Sequence, residues 1–95
     1  MNYPEILNLV INVVRETGEF QEKQLLVNPT ESTRLFGDTL NSMELVMLIA
    51  ELEERIADQF GVRLILADDR AMSRKTSPFL SIKTLVNYIE FLLAN

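Results

Sequence analysis

Residues 41–61 read NSMELVMLIAELEERIADQFG, and their pattern predicts one long amphipathic helix. Asn41 stands where a helix N-cap belongs, and Glu44 three residues later approximates a capping box. Apolar residues then recur three or four positions apart, the spacing of one helix face. They are Leu45, Leu48, Ile49, Leu52, Ile56 and Phe60. The pair Phe60-Gly61 ends the pattern, so the helix has a start signal and a stop signal.

A further helix is predicted on each side of this one. Asn2 can cap the first, Pro4 suits an early helical position, and Gly18 is expected to end it. Its apolar stripe is Ile6, Leu9, Val10 and Val13. Ser81 can cap the last helix, whose stripe is Ile82, Leu85, Val86, Ile89, Leu92 and Leu93. Three capped stripes in 95 residues predict one all-α domain that spans residues 1–95.

The connections between these helices differ in character. Residues 19–41 show no sustained periodicity and predict a long loop, which the apolar groups 25–27 and 35–36 anchor to the core. Residues 62–66, VRLIL, suit a strand, but a single strand has no partner here, so we expect an extended, buried connector. Asp68 can cap a short helix through Met72. The expected fold is therefore a bundle of three main helices and one short helix.

The composition excludes much of enzyme chemistry. The chain has no cysteine and no histidine, so neither a disulfide nor a Ser–His or Cys–His pair can form. Asp68-Asp69 lacks the spacing and the glycine of a calcium loop, and the other acids lie along a helix rather than around a cleft. We therefore expect no metal site and no catalytic residues. A stand-alone hydrolase with paired carboxylates is the least favoured alternative.

The charge pattern bears on partners and location. A net charge of -5 argues against nucleic acid, because phosphate contacts need clustered Lys and Arg. No secretory signal and no apolar run of about 20 residues is visible, so a cytoplasmic monomer without a membrane span is expected. Residues 42–60 carry a net charge of -4, whereas residues 61–83 carry +3. Such runs are usually solvated faces, but they also suit a docking surface with electrostatic steering.

Ser42 opens the second predicted helix. The first backbone N–H groups of a helix lack internal partners, and the helix dipole leaves partial positive charge there. A phosphate esterified to the Ser42 hydroxyl would sit where a helix favours an anion. Serine is also a common capping residue, so the position by itself favours a merely structural role.

The residues around Ser42 resemble the phosphopantetheine attachment region of acyl carrier proteins. The resemblance covers about residues 32–92: LNSMELVMLIAELEE at 40–54, then FGV at 60–62, LADDRAMSRKTSPF at 66–79 and LSIKTLVNYI at 80–89. In that family an Asp-Ser-Leu triplet opens an acidic helix that ends near a Phe-Gly pair. The stretches STRLFG and LADDRAMS more narrowly resemble a divergent group of bacterial specialised acyl carrier proteins.

This resemblance implies roles for individual residues. Ser42 matches the serine that receives 4'-phosphopantetheine, and Met43 matches the apolar residue that contacts partner enzymes. The acidic helix that basic partners recognise corresponds to Glu44, Glu51, Glu53 and Glu54. Asn41 departs from the family's Asp: it caps a helix about as well, but supplies no carboxylate near the magnesium ion of a phosphopantetheinyl transferase.

The implied function is transport of an acyl thioester for lipid, fatty acid, polyketide or related biosynthesis. The partners would be a phosphopantetheinyl transferase, an acyl-loading ligase and acyl-transfer or synthase enzymes. Candidate walls of a cavity for the cargo are Leu45, Ile49, Leu52, Leu64, Ile65 and Met72, which are equally suited to ordinary core. Two alternatives stay open: a carrier of an aminoacyl or peptidyl group, and an unmodified helical module for protein interaction.

Overall fold

The computed structural model describes residues 2–37, 39–66 and 78–94 and contains three α-helices in these ranges. They are α1, Tyr3–Phe20; α2, Ser42–Phe60; and α3, Ile82–Ala94. A 3₁₀ turn at Gln24–Leu26 follows α1. No strand occurs within these ranges, where the only β-type pairings are two isolated bridges. The all-helical prediction is confirmed, whereas the short helix expected at 68–72 lies outside the described residues.

Helix α1 starts where the sequence predicts and ends later. The Asn2 side chain accepts a hydrogen bond from the Glu5 backbone N–H at 3.0 Å, so Asn2 is the N-cap. The helix continues past Gly18 to Phe20, so the predicted stop at Gly18 is wrong. Gly18 has another role, because a Cβ there would lie 2.6 Å from the Leu26 Cβ. Glycine is needed for close packing of the 3₁₀ turn onto α1.

Helix α2 has the two ends that the sequence predicts. Asn41 and Glu44 form a reciprocal capping box, and Gly61 closes the helix in a left-handed conformation, with φ 69°. The buried face of α2 consists of Leu45, Leu48, Ile49, Leu52 and Ile56. This face packs into one core with Ile6, Leu9, Val10, Val13 and Val14 from α1 and with Ile82, Leu85, Val86, Tyr88 and Ile89 from α3.

The long loop is fixed to the start of α3. Leu26 and Leu35 are fully buried and Phe36 packs against the core, as expected for anchors; the side chain of Leu25 is outside the described part. The Leu35 backbone N–H donates to the Leu80 carbonyl at 2.8 Å. In return, the Thr33 and Glu31 carbonyls accept from the first N–H groups of α3 at 3.0 and 2.9 Å. The loop thereby satisfies helix-end donors that would otherwise lack partners.

The connector after α2 is only partly as expected. Residues 62–66 form no strand, and Leu66 is fully buried. Ile65, however, is 72% exposed, so its prediction as a buried residue is wrong. Side chains alternate in direction along an extended segment, so an inward Leu66 leaves Ile65 facing outward. Among the described helices, none is long and apolar enough to cross a membrane.

Candidate functional site

Asn41, rather than Ser42, caps α2. The Asn41 Oδ1 accepts from the Glu44 backbone N–H at 2.9 Å, and the Glu44 Oε1 accepts from the Asn41 N–H at 2.9 Å. These two bonds satisfy the donors that a capping serine would otherwise serve. Ser42 is the first helical residue and is exposed. Within the described part of the chain, its hydroxyl takes part in no hydrogen bond.

A salt bridge joins the start of α2 to the segment that follows α1. The Glu44 Oε2 lies 3.1 Å from the Lys23 Nζ, in the segment that follows α1. The hydrogen bond from the Asn41 backbone, and then the one from Lys23, lower the pKa of the Glu44 carboxyl below its usual value. The carboxylate is therefore the stable form at neutral pH. Glu44 therefore stabilises the start of α2, through its contacts with Asn41 and Lys23, in addition to any contact with a partner.

A turn in the loop sets the direction in which α2 starts. The Leu35 carbonyl accepts from the Thr39 and Leu40 backbone N–H groups, both at 3.0 Å, and Gly37 has a positive φ of 92°. Leu40 is buried, whereas Ser42 two residues later is exposed. Ser42 borders a shallow hollow of ≈ 410 Å³, which is also lined by Lys23, Phe36, Gly37, Thr39 and Glu44. A group on the Ser42 hydroxyl thus has room beside the Lys23–Glu44 ion pair.

The outer face of α2 is apolar near Ser42. Met43 is 75% exposed. Val46 and Met47 are also more than half exposed, and neither is among the sequence candidates. Their spacing of three and four residues from Met43 places all three on one side of the helix, so the sequence did contain the signal.

The predicted partner carboxylates of α2 fall into two groups. Three of them have partners inside the protein: Glu44 as described, Glu51 with Arg55 at 3.0 Å, and Glu53, which accepts from the Leu66 N–H at 2.7 Å. Glu54 is exposed and forms no ion pair or hydrogen bond within the described residues. Part of the negative charge of α2 is therefore engaged in contacts within the protein, and only part of it is free to meet a partner.

The predicted walls of a cargo cavity lie in two different surroundings. Leu45, Ile49 and Leu52 are buried in the common core, whereas Leu64 and Ile65 border an open surface hollow of ≈ 740 Å³ between α2 and the connector. Met72 and the pair Asp68-Asp69 lie outside the described residues, as do Arg70, Arg74 and Lys75, which contribute to the net positive charge of residues 61–83. In the ranges that are described, no cluster of three or more acidic side chains is arranged to hold a metal ion.

Comparisons with models of protein families, with curated proteins and with solved structures gave no match.

Proposed function

We propose that the chain is a carrier protein that bears a 4'-phosphopantetheine arm on Ser42 and presents an acyl thioester to partner enzymes. The observation that carries this proposal is the division of roles between Asn41 and Ser42. Asn41 caps the helix, so the exposed Ser42 hydroxyl is left without a structural role in the described residues. A hydroxyl at the first helical position, with no internal partner, is suited to a phosphodiester.

Two further observations support the same proposal. The thiol of the arm comes from the cofactor, so a protein without cysteine can hold a thioester. Met43, Val46 and Met47 form an exposed apolar strip that begins beside Ser42 and would meet the enzymes that load or unload the arm. Because the core face of α2 is separate from this strip, docking would not require the bundle to open.

Intact-protein mass spectrometry tests the proposal directly. The full chain is incubated with coenzyme A and a broad-specificity phosphopantetheinyl transferase, and Ser42→Ala is treated in parallel. We expect the parent to gain one phosphopantetheine group and Ser42→Ala to gain none. Asn41→Asp, which restores the residue found in the resembling family, is expected to be modified faster than the parent if the missing carboxylate matters to the transferase.

The second candidate is an unmodified helical module that binds a protein through the same strip. The exposure of Met43, Val46 and Met47 favours it equally, because an apolar strip is a docking surface with or without an arm. A parent chain that no transferase modifies would support this candidate instead. If the parent chain is modified, loading assays with acyl and aminoacyl ligases would distinguish an acyl carrier from an aminoacyl carrier.

A further inference from the structure

Helices α1 and α2 form an open groove. The helices are antiparallel, because Lys23 after α1 meets Glu44 early in α2, and Glu16 in α1 meets Arg55 late in α2, at 2.8 Å. The groove has a volume of ≈ 350 Å³. We call it the α1–α2 groove; it is lined by Val13, Glu16, Phe20, Gln21, Met47 and Arg55, among others.

Apolar side chains border this groove and are open to solvent. Phe20 on α1 is 81% exposed, and Met47 on α2 is 51% exposed. Met47 belongs to the strip with Met43 and Val46 that starts beside Ser42. Clustered apolar surface of this kind marks interaction sites in small proteins.

The end of α1, which contributes Phe20 to the groove, carries negative charge. The C-terminal end of a helix has partial negative charge and favours Lys or Arg, yet the last turn of α1 contains no basic residue. Residues 16–22 instead include Glu16, Glu19 and Glu22. Glu16 pairs with Arg55, whereas Glu19 and Glu22 form no ion pair within the described residues. The cations nearest the groove are already engaged, since Lys23 pairs with Glu44 and Arg55 pairs with Glu16 and Glu51. The surface is therefore complementary to added positive charge.

Gln21 borders the groove, but its Oε1 is buried and therefore out of reach of an occupant. The groove thus offers an apolar surface and negative charge.

From these features we infer that the α1–α2 groove binds an amphipathic helix of a partner protein, whose apolar side chains contact Phe20 and Met47 and whose lysines or arginines face the end of α1. A second copy of this chain is a poor occupant, because it would bring a net charge of -5 to an acidic edge. The groove and the Ser42 hollow have no lining residue in common, although Met47 belongs to both the groove and the strip that begins beside Ser42. The inference does not require the arm.

The test uses the full chain with Ser42→Ala, so that modification has no influence on the result. The probes are two synthetic helical peptides with the same leucine face, one flanked by lysines and one by glutamates. Binding is followed by amide chemical shifts of the ¹⁵N-labelled protein. We expect the lysine peptide to shift amides of residues 13–22 and 43–55, and to bind several-fold more tightly than the glutamate peptide at low salt.

Matched variants locate the binding surface. Phe20→Ser and Met47→Gln should each weaken the lysine peptide about fivefold or more. Phe91→Ser replaces another exposed phenylalanine, on α3, and should leave the affinity within about twofold. Four results would each overturn the inference. The two peptides could bind with equal affinity, or Phe91→Ser could weaken binding as much as Phe20→Ser does. The amides could show no chemical-shift change at millimolar peptide, or the protein could form a dimer that Phe20→Ser abolishes. Failure of the carrier proposal is measured separately, by the mass of the parent chain.

Discussion

Lys23 and Glu44 connect two segments that are distant in sequence, with the Lys23 Nζ 3.1 Å from the Glu44 Oε2. The same Glu44 carboxylate accepts the backbone N–H of Asn41 through its other oxygen. One carboxylate therefore completes the cap of α2 and ties the end of the α1 segment to it. Both contacts lie at the helix start that presents the exposed Ser42.

Acid should loosen this arrangement through Glu44. Its pKa is lower in the folded chain than in the unfolded chain, so the folded state binds the proton more weakly. The stabilising contribution is therefore present above the usual pKa of 4.5 and is lost as the pH falls through the lower, folded value. Urea unfolding at a series of pH values should show a smaller acid dependence for Glu44→Gln than for the parent. Glu54→Gln is the control, and an equal flattening by it would contradict this account.

Gly18→Ala should destabilise the protein, although alanine normally stabilises a helix. The added Cβ would lie 2.6 Å from the Leu26 Cβ and 2.9 Å from its backbone carbon, so backbone must move. Such overpacking typically costs about 1–3 kcal/mol. Chemical denaturation measures the change. Asn8→Ala, at an exposed position of the same helix, is the matched control and should be neutral or slightly stabilising.

Asn41 and Ser42 should separate stability from modification. Asn41→Ala removes the cap and should lower the free energy of unfolding by about 1 kcal/mol, while leaving the Ser42 hydroxyl in place for the transferase. Ser42→Ala should melt close to the parent, because Asn41 still caps the helix, but should never gain the mass of the arm. Thermal melting measures the stability of each variant, and intact mass, measured on the same samples, shows whether the arm has been added. A large loss of stability in Ser42→Ala would mean that the serine is structural.

The sequence predicted the elements whose signals are local. The Asn41–Glu44 box, the Gly61 stop and the α2 stripe all depend on residues within one helix, and each is confirmed. The error at Gly18 has a different origin, because it depends on a segment packed from elsewhere in the chain. The error at Ile65 arose because the sequence alone did not indicate which residues of the extended connector face the core. Gly18 resembles a helix stop until the 3₁₀ turn is seen to pack on it through Leu26. The roles of Glu44 and Glu53 also depend on distant partners, Lys23 and Leu66.

The neighbouring carboxylates Glu53 and Glu54 should respond differently to substitution. Glu53→Ala leaves the partly buried Leu66 N–H without its acceptor and should cost about 1–3 kcal/mol of unfolding free energy. Glu54→Ala removes an exposed side chain and should change stability by no more than about 0.5 kcal/mol. Denaturant unfolding of the two variants side by side measures this contrast. Equal losses would mean that the contact from Glu53 to the connector contributes little.

The end of α1 allows a prediction in which stability and binding change in opposite directions. Glu19 is exposed near the negative end of the helix dipole, where a cation is preferred. Glu19→Lys should therefore stabilise the isolated protein by about 0.3–1 kcal/mol, and it should weaken binding of the lysine-flanked peptide to the α1–α2 groove several-fold at low salt. Denaturant unfolding and peptide titration measure the two effects.

The same substitution at an exposed site away from the groove, Glu5→Lys, is the control for net charge. It adds a cation at the positive end of α1, so it should destabilise the helix, and its effect on peptide binding should be smaller. Equal weakening by both variants would show that the peptide senses the total charge of the protein rather than this groove.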